Sequence, residues 1–332
     1  MAHYIITGVA GFIAARVAEM LLEAGHTVIG VDDLNDAYDV RMKHWRLKQI
    51  KDTHTNFYFH NLDISDREAM KNLHAHTIDQ IKSSNIEAVI NLAARAGVRY
   101  SVENPWIYID TNVTGTLNLL ELSRSIGIPK FILASTSSIY GANAPLPTPE
   151  DADSSQPLQP YAASKKGAEA LCHAYHYLYD IDVTVFRYFT VYGPAGRPDM
   201  VMFRFAQWIN EGRTLKVFGD GEQTRGFTYV DDIARGTILG LRPLGYEIIN
   251  LGGHETISIN DLISMFEQFT GKKALIEQLQ RHPADMLANW ANVEKAGRFL
   301  GWEPLVPLEE GVANLLTWYE SEREWVSRIE TT

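Results

Sequence analysis

The stretch YAASK sets Tyr161 and Lys165 four residues apart, one helical turn, so that both side chains share a face. An ammonium beside a phenol stabilises the phenolate and makes a general base able to take a proton from an alcohol. By itself the spacing is equally that of a core edge next to a solvated charge. The upstream stretch ASTSSIYG adds weight, because it places Thr136, Ser137 and Ser138 at the end of an apolar, strand-like run. Open α/β sheets bind ligands at that end of their strands. The Thr136 hydroxyl would there share the substrate's proton with Tyr161. A plainer role, satisfying backbone groups at a strand end, is expected for at least one of the three hydroxyls.

Near the N-terminus, TGVAGFIA spaces Gly8, Gly11 and Ala14 as G-x-x-G-x-x-A between a strand and a helix. Such a turn presents backbone N–H groups and a helix dipole to a pyrophosphate, and one methyl at the third position is a modest perturbation of helix–strand packing. An ordinary glycine-rich turn would look the same in isolation. Asp32 follows at the end of the next strand, about twenty residues on, placed to accept hydrogen bonds from ribose hydroxyls and to repel a 2′-phosphate, which favours NAD over NADP. Asp33 is the weaker choice for that role, and Arg41 and Lys43 lie too far into the following segment to argue for NADP. Asp63 and Ile64, after a third strand, are candidates for adenine contact; a strand-end aspartate is also a common helix cap. The loop TVYGPAGRPDM holds a single arginine, Arg197, between Pro194 and Pro198. It is suited to a forked contact with a carboxylate, or to pairing with its neighbour Asp199.

The elements that must position these groups are legible. YIITG, TVIGVDD, NFYFHNLD, EAVINLAA and KFILAST read as buried parallel strands separated by helical patterns, a doubly wound α/β sheet. Gly25 and Gly127 read as helix ends, the second closing a helix over about 105–126. Beyond about residue 190, Pro/Gly loops mix with short strands such as LKVFG and EIINLGG, a smaller, partly interleaved lobe. The chain has 332 residues, 45% of them hydrophobic, which supports one large core. Its net charge of −11 argues against nonspecific binding to nucleic acid or to an anionic membrane, so an anionic ligand must meet local positive charge. A single cysteine, Cys172, excludes an intramolecular disulfide and a cysteine-based metal site, and no metal is expected. With MAHYIITG entering a strand at once and no long apolar run, a cytoplasmic protein is expected.

Taken together, Gly8-x-x-Gly11, Asp32, NLAA, ASTSSIYG, Tyr161-x-x-x-Lys165, FTVYGP and RGFTYVDD resemble, in order and over nearly the whole chain, the extended short-chain dehydrogenase/reductase family of nucleotide-sugar enzymes. The resemblance implies a Rossmann domain over 1–190, with further elements from about 225–255, and a nucleotide-sugar lobe mainly over 191–332. It implies a tightly held NAD touched by Phe12, Ile13, Leu92, Ala93 and Ala94 besides the residues above, UDP- or dTDP-sugar substrates, and a catalytic group of Thr136, Tyr161 and Lys165. Related dehydratases carry Asp-Glu after the threonine, and decarboxylases a Glu two residues on; Ser137 and Ser138 stand here instead, which leaves oxidation and re-reduction at sugar C4. FTVYGPAGRPDM, AGVRYSVENP, YGAN and HAYHYLY resemble the subgroup that acts on UDP-glucuronate, so interconversion with UDP-galacturonate is expected. In that reading Arg197, with Thr190 and Ser138, holds the C6 carboxylate; Arg99 is its rival; Val217 and Phe218 meet uracil, Arg225 the pyrophosphate and Asp285 the uridine ribose. Arg95, Gly226 and Asn292 depart from the family's usual residues. A UDP-glucose/galactose 4-epimerase, a UDP-glucuronate decarboxylase and an NAD-sensing module are the alternatives, and a homodimer through helices near 105–126 and 161–179 is expected.

Overall fold

The computed structural model describes residues 1–73, 85–253, 255–280 and 288–331. Its strands, in chain order, are β1 His3–Thr7, β2 Thr27–Asp32, β3 Phe57–Asn61, β4 Ala88–Asn91, β5 Lys130–Thr136, β6 Asp182–Tyr188, β7 Thr190–Tyr192, β8 Thr214–Phe218, β9 Thr224–Tyr229, β10 Tyr246–Leu251, β11 Thr256–Ser258, β12 Leu275–Leu279 and β13 Ala288–Asn289. Seven of them form one sheet in the order β10-β6-β5-β4-β1-β2-β3. Every neighbouring pair in it is parallel. The fully buried β2, β4 and β5 are the continuous β-branched runs expected of strands covered on both faces. Strand order reverses between β1 and β4, so the crevice at their carboxyl ends is the topological switch point where this architecture binds ligands.

The chain leaves this sheet after Tyr188 and enters a second one at Thr190. There β7 runs parallel to β9, which also pairs with β11 and β13, while β8 and β12 form a separate parallel pair. A one-residue junction at Phe189 therefore hands the polypeptide from the central sheet to the smaller one and fixes Thr190 at the boundary. Gly226 is explained by this second sheet. A Cβ there would lie 2.7 Å from the Gly253 carbonyl oxygen and 2.9 Å from the Trp290 Cβ, so no larger residue fits beside that tryptophan.

The helix expected over 105–126 is realised as Trp106–Tyr108, a π-helical segment Ile109–Thr114 and Gly115–Ile126. The widened turn accommodates buried Asn112, whose side chain accepts from the Arg95 N–H at 2.9 Å and donates to the Arg95 carbonyl at 3.0 Å and to Ser164 Oγ at 2.9 Å. Gly127 ends the helix in the left-handed conformation, at φ 75°. Cys172 is fully buried, and burial pushes its thiol far up. Among the described residues no helix is long and apolar enough to cross a membrane.

Candidate active site

Strand β5 delivers Thr136 to the mouth of the crevice, where it caps the short 3-10 turn Ser137–Tyr140: its Oγ accepts the Ser138 N–H at 3.1 Å and donates to Ser138 Oγ at 3.2 Å. Pro160 opens the Pro160–Tyr179 helix and puts Tyr161 in its first turn, near enough to Thr136 for that hydroxyl to act on the phenol. Burial pushes the Tyr161 phenol up, while the Thr136 hydroxyl and the Arg197 guanidinium pull it down. Tyr108 stands edge-on to the Tyr161 ring, centroids 6.1 Å apart. One turn along the helix, Lys165 is buried and donates to the Ala134 carbonyl at 2.7 Å, and burial lowers its pKa to about 8. Its ammonium is thus anchored on β5, one turn behind the phenol.

A further turn brings Glu169, a position on the same helix face. Its carboxylate accepts from Ser135 Oγ at 2.6 Å and from the Arg187 fork at 3.0 and 2.9 Å; Arg187 also donates to the Tyr140 hydroxyl at 3.0 Å, which donates to Asn250 at 2.7 Å. Both charges of this pair are buried, so each neutralises a cost that the other alone would impose, and the cluster pins the helix to β5 and β6. Glu169 escaped the sequence reading although it continues the spacing of Tyr161 and Lys165. A lone arginine in the apolar strand DVTVFRY was the other available signal.

The glycine turn fits a dinucleotide. Gly8 has φ 70°, and a Cβ on it would lie 2.7 Å from the Ala93 Cα, so the loop presses directly against the end of β4. A Cβ on Gly11 would meet the Gly8 carbonyl oxygen at 2.8 Å. The helix Phe12–Glu23 begins at Gly11 with no side-chain cap and no acidic residue in its first turn, which leaves its dipole and first amides suited to a phosphate. Phe12 and Ile13 open that helix, and Leu92, Ala93 and Ala94 follow β4, where the Ala93 N–H donates to Thr7 Oγ at 3.2 Å.

Asp32 lies at the end of β2, its carboxylate accepting the N–H groups of Ala10 at 3.1 Å and Leu34 at 2.9 Å. Lys43 corrects one expectation. The helix Val40–Thr53 folds back and sets its buried Nζ 3.7 Å from Asp32 Oδ1, so the chain distance that seemed to remove it from the ribose site does not. Burial raises the Asp32 pKa, against the pull of Lys43. Asp63 caps its own turn, accepting from the Ser65 N–H and Oγ, both at 2.8 Å, and the Ile64 side chain is buried in the core.

Arg197 pairs with Asp199 through a fork, Nε at 3.0 Å and Nη2 at 2.6 Å, and its charge still reaches Tyr161, Tyr108 and Tyr38. The pairing anticipated with Asp199 and the proximity to the candidate base therefore coexist. Thr190 opens β7, half-buried. Arg99 stacks on the Phe218 ring at 5.4 Å, next to buried Val217, which groups it with the expected uracil residues. Arg225 donates to the Thr224 carbonyl at 2.7 Å. Asp285 lies outside the described residues. Arg204 was missed: its buried Nε has no hydrogen-bond partner, and burial lowers its pKa, with Asp199 pulling it up and Arg99 pushing it down, so it lies within range of both Arg99 and the carboxylate that pairs with Arg197.

A model of the NAD dependent epimerase/dehydratase family matches residues 4–252. The chain is 54% identical over 330 residues to a UDP-glucuronate 4-epimerase of Thermodesulfobacterium geofontis, covering 99% of both chains. Among solved structures it is similar to the UDP-glucuronic acid 4-epimerase of Bacillus cereus in complex with UDP-glucuronic acid and NAD, at 35% identity and TM-score 0.87 over 96% of this chain and 99% of that one. It is also similar to the UDP-glucose 4-epimerase of Thermotoga maritima with UDP-glucose, at 31% identity and TM-score 0.86 over 97% and 99%. With its switch-point glycine turn and its Tyr161–Lys165 helix, the chain belongs to the NAD dependent epimerase/dehydratase family.

Proposed function

We propose that this protein interconverts UDP-glucuronate and UDP-galacturonate by NAD-dependent 4-epimerisation. The feature that carries the reading is the placement of Tyr161 and the buried Lys165, anchored on the Ala134 carbonyl, behind Thr136 at the carboxyl end of β5, with Arg197 near enough for its charge to act on the Tyr161 phenol. The relatives named above support it. Residues 1–190, joined by elements from about 225–255, are assigned to holding NAD, and 191–332 mainly to the nucleotide sugar. Bound against Gly8, Gly11 and Asp32, NAD supplies a hydride acceptor for sugar C4 that is regenerated within each turnover.

The chain's own residues manage the proton and the carboxylate. Tyr161, as phenolate, takes the C4 hydroxyl proton directly or through Thr136, and after the 4-keto sugar presents its other face the same phenol returns it. Lys165 fixes a positive charge one turn behind and favours the ionised phenol. A 4-keto uronate is a β-keto acid and loses CO₂ when its carboxylate is desolvated or its C–C bond is aligned with the carbonyl. Arg197, with Thr190 and Ser138, would keep that carboxylate ionised and hydrogen-bonded. Arg99, Arg204 and Arg225 would meet the pyrophosphate of the UDP group in a chain whose overall charge is −11. A homodimer acting in the cytoplasm completes the reading.

Replacing Tyr161 by Phe removes the proton acceptor, so turnover of UDP-glucuronate falls on the order of 10²- to 10⁴-fold while binding of the UDP-sugar is largely retained. A variant with near-normal turnover would remove Tyr161 from the role of base.

A further inference from the structure

We propose that Arg46 is a positioning residue that couples occupation of the dinucleotide site to the shape of the sugar-recognition loop 195–199. The inference rests on the reading of Arg197 given above. Arg46 belongs to the Val40–Thr53 helix and is 2% exposed. Among the described residues it makes no ion pair; its guanidinium is satisfied by carbonyl and hydroxyl oxygens from three separate segments. Nη1 donates to the Ala10 carbonyl in the glycine turn at 2.9 Å and to the Tyr38 hydroxyl at 2.8 Å. Nε and Nη2 donate to the Ala195 carbonyl at 3.0 and 2.7 Å, and Nη2 reaches the Gly196 carbonyl at 3.4 Å.

A buried cation without a carboxylate is costly, and its hydrogen bonds to these oxygens offset that cost only while the segments stay in place. The two ends of the tether are the two recognition elements. Ala10 gives its N–H to Asp32 and its carbonyl to Arg46, so a single residue joins the ribose carboxylate to the Arg46 fork. Ala195, held at φ 53°, is followed by Gly196 and then by Arg197 itself. Gly196 also passes close to the helix that the glycine turn opens, since a Cβ added to it would lie 3.8 Å from the Phe12 ring. Tyr38, which accepts from Arg46, also lies close enough to Arg197 to act on its charge. A pyrophosphate that fixes the glycine turn thereby fixes the Ala10 carbonyl, the Arg46 fork and the loop that aims Arg197. Differential stabilisation of one loop arrangement by one ligand is what coupling between sites requires.

The test is hydrogen exchange at residues 195–199 in wild-type protein and Arg46→Lys, each loaded with NAD and stripped of it, with no sugar present. Lysine keeps the charge and loses the fork. In the wild type NAD slows exchange at these amides by about tenfold, and in Arg46→Lys, with NAD still bound, the effect shrinks to within about twofold. The KM for UDP-glucuronate rises in the variant while kcat changes less. Equal NAD-dependent protection in a folded Arg46→Lys protein, with an unchanged KM, would overturn the proposal. Should that variant not fold, Arg46→Gln, which retains one amide donor, carries the same comparison. Wild-type protein whose 195–199 exchange ignores NAD also overturns it. Failure of the wild type to bind UDP-glucuronate would sink the functional reading instead and leave the exchange result to decide the coupling.

Discussion

Tyr161, Lys165 and Arg197 are three ionisable groups whose surroundings push them away from their ordinary states, and two of those pushes can be measured. Arg197 offers a fork that Asp199 engages and that a uronate carboxylate would engage in the same geometry. Arg197→Gln is expected to raise the KM for UDP-glucuronate about 10- to 100-fold, the worth of a charged hydrogen-bond pair, with a much smaller effect on UDP-glucose. Equal losses on both sugars would assign Arg197 to bracing its loop through Asp199. Lys165 is depressed by burial from 10.5 to about 8. Between these values the unfolded chain binds a proton that the folded chain does not, so stability rises with pH across that window, and the burden of the buried charge is full below it. Thermal melts of Lys165→Met should therefore show a gain over wild type below pH 8 that closes as pH climbs to 10.5. A pH-independent difference would mean that folded Lys165 keeps its proton throughout. Tyr161, Lys165, Gly8 and Gly11 were legible because their partners lie within a turn or a strand–helix junction. Arg46 was not, since a guanidinium's partner 149 residues away leaves no local signature, and Lys43 and the Glu169–Arg187 pair meet their partners only when a helix packs back on a strand.

At the scale of elements, the buried strands were legible because fully covered parallel strands are written as apolar β-branched runs. The second sheet was readable only in outline: β7, β11 and β13 span three, three and two residues, too few for any period to show. The π-helical turn at Ile109–Thr114 was likewise hidden, since it accommodates contacts of Asn112 with the Arg95 backbone and the Ser164 hydroxyl, outside its own helix. The helices expected to pair between subunits carry large apolar groups in the open: Trp106 is 76% exposed, Tyr177 81% and Leu178 62%. Isolated apolar residues on a surface need no explanation, whereas Tyr177 and Leu178 are adjacent near the end of the Pro160–Tyr179 helix and are the pair to test for an interface. If the proposed homodimer forms through these helices, the double variant Tyr177→Glu with Leu178→Glu should sediment at half the mass of the wild type. An unchanged mass would place any interface elsewhere.

Across the whole molecule, the acidic surface and the cationic interior of the crevice act together. A net charge of −11 leaves little general attraction for a UDP-uronate, so under the proposed function affinity would come from local cations, with Arg99, Arg197, Arg204 and Arg225 as the proposed ones. The boundary of the two sheets is made where the chain crosses from β6 to β7, with Thr190 on the far side of a single residue. In the proposed function, the group that moves the C4 proton and the group that holds the C6 carboxylate come from opposite sides of that crossing: Tyr161 precedes β6 and Arg197 follows β7. The most direct test is to incubate the purified protein with UDP-glucuronate, and separately with UDP-glucose, and follow the products by proton NMR. UDP-galacturonate accumulating without UDP-xylose is the predicted result. UDP-xylose as the main product, or conversion of UDP-glucose alone, would contradict the assignment of Arg197 and Thr190 to the uronate carboxylate.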